Sequence, residues 1–141
     1  MKGRLDMEKW EAAYVAGIID GEGSITLTRM HEKEHRRPCI TIASTDKELL
    51  IYIQSLTRGI IINKKNYNPN KYKNSYTLYI KKKLDVFHTL QSITPFLRIN
   101  QKRERAKWIL NNYDTVTPRN GKYSHELLKE KLMFEEEFFK L

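Results

Sequence analysis

The sequence predicts an α+β fold, α-β-β-α-β-β-α with extra C-terminal helices, in which four antiparallel strands carry helices on one face. Three observations predict it. A helix-forming run over residues 14–23 (YVAGIIDGEG) ends in an acid between two glycines. Two pairs of runs alternate apolar with polar residues at the period of half-buried strands. Apolar residues at helical spacing follow each pair.

Taken in order, Asp6 is placed to cap a first helix running to about residue 20, with Trp10, Tyr14 and Ile18 on its core side. Residues 24–30 (SITLTRM) alternate Ile25 and Leu27 against Thr26 and Thr28, and residues 39–44 (CITIAS) form the partner strand. The charged residues 30–38 join the two as a loop. Asp46 caps a helix through about residue 56, with Leu49, Leu50, Ile53 and Leu56 on one side and Gly59 ending the connection. Residues 60–67 and 75–82 read as a second hairpin around Asn68, Pro69 and Asn70, and helices follow from about residues 84, 101 and 124. One sheet face must pack on the helices. The other, with Thr26, Thr28, Thr41, Lys64, Asn66, Thr77, Tyr79 and Lys81, is left polar and basic.

At 141 residues the chain reads as one domain, and its net charge of +9 favours a polyanionic partner. Nucleic acid fits better than a membrane, because no basic amphipathic anchor helix stands out. No apolar run reaches the ~18 residues of a membrane span, no signal-peptide pattern opens the chain, and the lone Cys39 excludes an intramolecular disulfide. An intracellular, soluble protein is expected. Between residues 58 and 83 lie eight basic residues and no acid, interleaved with Tyr67, Tyr72, Tyr76 and Tyr79. Solvated surfaces usually mix signs, so this stretch suits phosphate contact along a groove. The tail over residues 126–140 carries five glutamates against three lysines and is expected to face away from the nucleic acid.

Within the first helix Ala13, Gly17 and Gly21 recur at intervals of four, forming a side on which another backbone can approach closely. Asp20 and Glu22 sit at the negative end of the helix dipole, which disfavours carboxylates by about 0.3–1 kcal/mol, so something should compensate them. Val15, Ala16, Gly17, Ile18, Ile19, Asp20, Gly21, Glu22 and Gly23 occupy in order the nine positions of a known motif. The chain thus resembles the LAGLIDADG homing endonucleases, specifically over these residues and diffusely over about residues 7–110, with residues from about 111 to 141 a C-terminal helical extension.

The resemblance implies a site-specific double-strand DNA endonuclease. Glu22 and the Gly21 carbonyl would hold Mg²⁺, with Mn²⁺ able to substitute and Ca²⁺ supporting binding but little cutting. Asp20 would hydrogen-bond across a helix pair. Two strands need two acids and this chain has one motif, so a homodimer is expected, joined through Ala13, Gly17, Asp20 and Gly21 about a two-fold axis on a near-palindromic site. The polar sheet face would lie in the major groove with Met30, Arg36 and Arg37 from the hairpin loop, while Lys82 and Lys83 would touch phosphates. Ribbons of about seven residues, at about 3.3 Å each, imply a site on the order of 20 base pairs.

Two of the expected site residues depart from the family pattern. Ser44, Thr45 and Asp46 compete for a polar position at the start of the second helix, with Thr45 preferred. A basic position falls on Asn100 when counted from Pro95, Phe96 and Leu97, and on Lys102 when counted back from Ala106. Lys102 is preferred, with Arg98 as a substitute. The segment His31–His35 (HEKEH) formally matches a zinc-protease motif, but its charged flanks and Pro38 leave neither an apolar face nor room for a helix. A non-cleaving binder on the same scaffold, an intron maturase contacting RNA or a transcription factor, is the alternative function. Such members tend to lose the motif's final acid, which is present here as Glu22.

Overall fold

The computed structural model describes residues 6–141. Helix α1 (Lys9–Glu22) runs directly into strand β1 (Gly23–Thr28), which pairs antiparallel with β2 (Arg37–Ser44). Helix α2 (Lys47–Thr57) leads to β3 (Ile60–Lys64) and β4 (Ser75–Ile80), then α3 (Lys83–Ile93), α4 (Asn100–Asn112) and α5 (His125–Phe139). Single 3₁₀ turns, Thr94–Phe96 and Asp114–Val116, precede and follow α4. The sheet order is β1-β2-β4-β3, antiparallel throughout, so β4 pairs with both β2 and the edge strand β3.

The two-residue alternation divides the sheet as the sequence predicts. Ile25, Leu27, Ile40, Ile42, Leu78 and Ile80 are buried on the inner face, against Val15, Ala16 and Ile19 of α1, Leu50 and Ile53 of α2, and Val86, Leu90 and Ile93 of α3. Partners in the register share a face, so Ser24, Thr26, Thr28, Thr41, Thr77 and Tyr79 lie outward. One expected outer residue is placed differently, and two apolar residues join the outer face. Asn66 lies beyond β3, where its amide donates to the Tyr72 carbonyl and its Oδ1 accepts from the Asn68 N–H, so it organises the hairpin loop. Ile60 and Ile62 occupy the outer face of β3 opposite Tyr79 and Thr77 and are about half exposed, so this face is less uniformly polar than the alternation suggests.

Helix α1 departs from the expected orientation. Its buried stripe is Ala12, Val15, Ala16 and Ile19, whereas Trp10 is 66% and Tyr14 45% exposed. The i, i+3, i+4 rule is obeyed by both stripes, and the sequence reading followed the larger side chains. Burying this stripe leaves Ala13, Gly17 and Gly21 facing outward with Trp10 and Tyr14. The N-cap is Glu8 rather than Asp6: residues 6–8 are not helical, and Glu11 Oε1 accepts from the Glu8 N–H at 2.8 Å. At the end of α2 the left-handed residue is Arg58 (φ 66°), not Gly59. Gly59 is needed for closeness, since a Cβ there would meet Leu78 Cδ1 and the Tyr79 carbonyl oxygen at 2.7 Å.

Helix α5 closes over α4 through Phe134 and Phe138, with the Trp108 Nε1–H donating to the Phe134 carbonyl at 3.1 Å. Lys131 is buried with them. Its amine donates to Thr117 Oγ1 at 2.7 Å and lies 4.3 Å from the centre of the Tyr113 ring. Burial pulls its pKa down to about 8 from 10.5, with Glu135 opposing. The folded chain therefore releases this proton near pH 8 while the unfolded chain keeps it to about pH 10.5, so stability from this group rises with pH across that window. Urea midpoints should climb from pH 8 to 10 more steeply for the native chain than for Lys131→Met; parallel profiles would count against this coupling.

Candidate functional site

The end of α1 is built by a reciprocal exchange with the start of α4. Asp20 accepts the Arg98 N–H at 2.8 Å through Oδ2 and the Ile99 N–H at 3.1 Å through Oδ1. In return the Lys102 amine donates to the Ile19 and Asp20 carbonyls, both at 2.7 Å. A carboxylate thus meets the positive end of α4 and an ammonium the negative end of α1, each favourable by about 0.3–1 kcal/mol. This supplies the compensation that the acidic helix end requires. Both Asp20 oxygens accept within the chain, while the resemblance implies that Asp20 also bonds across a helix pair.

Gly23 continues the chain in an extended conformation (φ −102°, ψ 174°), so it is no left-handed cap. A side chain there would bring a Cβ to 2.9 Å from Ile19 Cα and 3.1 Å from the Thr41 carbonyl oxygen. The close approach fastens the acid's backbone to the sheet. The Glu22 side chain is exposed and makes no hydrogen bond or ion pair with any described residue. A Cβ built at Gly21 or Gly17 meets nothing within 4 Å, so the outer side of α1 is open along its small-residue stripe. Among the described residues no group of three or more His, Cys, Asp or Glu side chains gathers to hold a metal. An unpartnered carboxylate beside an unobstructed backbone does fit a cation whose remaining ligands are phosphate oxygens and water.

Of the three residues competing for the basic position, only Lys102 brings its side chain to the α1 terminus, whereas Arg98 reaches it through its backbone N–H. The Asn100 side chain accepts from Arg103 Nη2 at 3.1 Å, and the Arg98 side chain is exposed. Thr45 stands exposed between β2 and α2, Ser44 Oγ accepts the Asp46 N–H at 3.0 Å, and Asp46 makes no side-chain cap to α2. Sequence reasoning overlooked Ser24, which follows the acid by two residues on the outer face and hydrogen-bonds Thr41 Oγ1 at 2.7 Å. Its place on the outward parity of β1 was the available signal.

Along the outer face Thr26, Thr28, Met30, Thr41, Tyr79 and Lys81 line a groove of about 190 Å³ together with Arg29 and Cys39. Burial raises the Cys39 thiol pKa while nearby Lys81 opposes the shift. Lys64 is exposed at the end of β3. Other expected contacts are already engaged. Arg36 pairs with Glu135 at 2.8 Å and lies over the Phe139 ring, Arg37 pairs with Glu34 at 3.2 Å, and Lys83 pairs with Asp114. Residues 31–35 form a turn, so the two histidines of HEKEH do not share a helix face.

A family model described as the LAGLIDADG-like domain matches residues 9–107. No curated protein matches the sequence. Among solved structures, the chain is similar to the homing endonuclease I-CvuI in complex with the I-CreI target, with 19% identity, 93% of this chain and 81% of that chain covered, and a TM-score of 0.70. The homing endonuclease I-TnaI gives 16% identity, coverage of 94% and 88%, and a TM-score of 0.66. The LAGLIDADG homing endonuclease I-GzeII in complex with its DNA target gives 19% identity and a TM-score of 0.62, with 92% of this chain but 44% of that longer chain covered. At these identities the likeness is one of fold.

Proposed function

The chain belongs to the LAGLIDADG family and carries one copy of the motif, and from that membership we propose that it is a homodimeric endonuclease cutting both strands of a long, near-palindromic DNA site. The observation that carries this reading is Glu22: a carboxylate without a partner among the described residues, at the end of a helix whose outer side is stripped to Ala13, Gly17 and Gly21. One such acid serves one strand. Two copies packed through that stripe bring two acids together about the two-fold axis, with the sheets extending along the duplex on either side.

Glu22 and the Gly21 carbonyl offer hard oxygen ligands suited to Mg²⁺, which supplies Lewis acidity at the scissile phosphate and an acidified water. Lys102 anchors the Ile19 and Asp20 carbonyls near the end of α1, so it is a positioning residue for the acid. Thr28 and Lys64 present polar ends toward base edges, and Lys81 and Lys82 present charge toward the backbone.

The decisive experiment is a metal-dependent cleavage assay on duplexes that the purified protein selects from a random library. Cutting of both strands supports the proposal. Tight binding without cutting in Mg²⁺ or Mn²⁺ would favour the maturase or transcription-factor reading instead. Lys102→Met should raise the Mg²⁺ concentration for half-maximal rate by about 10–100-fold, as expected for groups that orient a metal ligand. Its DNA affinity in Ca²⁺ should stay near wild type. An equal loss of DNA affinity would make Lys102 a phosphate contact and not a positioning group.

A further inference from the structure

At the end of the sheet away from Glu22, the β1–β2 turn, the start of α3 and the segment leading into α5 enclose a cleft of about 640 Å³. The register sets its distance: β1 advances five residues from Gly23, opposite Ile42, to Thr28, opposite Arg37, which is about 17 Å at about 3.4 Å per residue. Lys33, Arg37, Lys81, Lys82, Arg119 and Lys131 line the cleft, and Glu34 is the one acid among its lining residues. Glu34 is already paired with Arg37. Lys33, Lys82 and Arg119 pair with no carboxylate among the described residues. Cations gathered in a concavity repel one another and focus their field outward, an arrangement that a polyanion relieves.

Lys81 lines both this cleft and the groove on the outer sheet face with Thr26, Thr28 and Thr41. The two surfaces therefore adjoin at Lys81. The acidic tail does not oppose this, because Glu135, the α5 acid nearest the β1–β2 turn, is neutralised by Arg36, and α5 turns Lys131 toward the cleft. We propose that the cleft seats the phosphodiester backbone of the duplex beyond the base pairs that lie against the sheet. The C-terminal extension then belongs to the DNA-binding surface, contrary to the expectation that it faces away. This rests on the DNA-binding reading and adds to it a second contact zone whose partner is phosphate alone.

The test compares the full-length chain with the double variant Lys33→Gln/Arg119→Gln, both side chains being exposed, on a duplex selected by the wild-type protein and then trimmed stepwise from both ends. Wild type should lose affinity as the flanking phosphates are removed, while the variant should be indifferent to those same steps. The variant's log–log salt slope should shrink by about 0.9 for each phosphate it no longer neutralises, with base preference unchanged. Identical trimming profiles and slopes in the two proteins would overturn the cleft proposal while leaving the DNA-binding reading intact. If wild type selects no duplex, both fall. Saturable tripolyphosphate binding that the double variant loses, with DNA slopes unaltered, would make the cleft a small-anion site and also overturn it.

Discussion

Glu22→Gln should abolish strand cleavage while leaving DNA affinity nearly unchanged. The substitution keeps the shape of the side chain and removes its charge. Because the Glu22 side chain bonds to no other described residue, the fold loses no contact with that charge. Under the proposed function the lost group would be a metal ligand worth several kcal/mol of transition-state stabilisation, so the single-turnover rate should fall by about 10³-fold or more. Binding measured in Ca²⁺ should move by less than a factor of about three, since the carboxylate itself repels phosphate and its loss offsets part of the lost cation bridge. Near-normal Mg²⁺-dependent cutting by the purified variant would remove Glu22 from the mechanism. Equal losses of binding and cutting would instead make it part of the DNA contact surface.

Gly17→Leu should yield a well-folded monomer. In the isolated chain a Cβ at Gly17 meets nothing within 4 Å, and leucine is the better helix former by about 0.8 kcal/mol, so thermal stability should hold or rise. Across a two-fold helix pair the same side chain appears twice where the backbones should touch. Overpacking costs about 1–3 kcal/mol per side chain, so the dimer should weaken roughly 30-fold to more than 10⁴-fold. Sedimentation at micromolar concentration would show the change, and double-strand cutting should fall with it. A wild-type chain that remains monomeric both free and on DNA would refute the dimer; a Gly17→Leu chain that still dimerises would move the interface off this stripe.

Much of the architecture was legible because it is written in local periodicity. The outward threonines of β1 and inward Ile25 and Leu27 follow from a two-residue repeat that no tertiary contact needs to correct. The facing of α1 was not legible in the same way. Two stripes at helical spacing compete there, and the one that packs is chosen by which side chains the sheet can receive. Trp10 and Tyr14 look like core by size, yet the small Ala12 and Ala16 are the residues buried on the side of α1 that packs on the sheet. The candidate site was readable at Glu22, whose context is contiguous in sequence. Lys102 was not readable with certainty, because its partners at Ile19 and Asp20 lie more than 80 residues earlier and only the fold sets the count between them. Arg36 was legible only in part: the sequence shows a basic loop residue, and its pairing with Glu135, 99 residues later, is set by the fold.

The junction at Glu22 and Gly23 has an evolutionary corollary. Helix α1 ends and strand β1 begins on consecutive residues, with no intervening loop whose length could drift. Under the proposed activity, the spacing between the bond that is cut and the bases that are read is a property of one peptide unit. Lineages of this protein can change the letters they recognise by exchanging outward residues of β1, β2 and β4, one at a time. They cannot slide the cut along the site by insertion or deletion there. New targets should therefore differ in sequence while keeping a constant stagger between the two nicks.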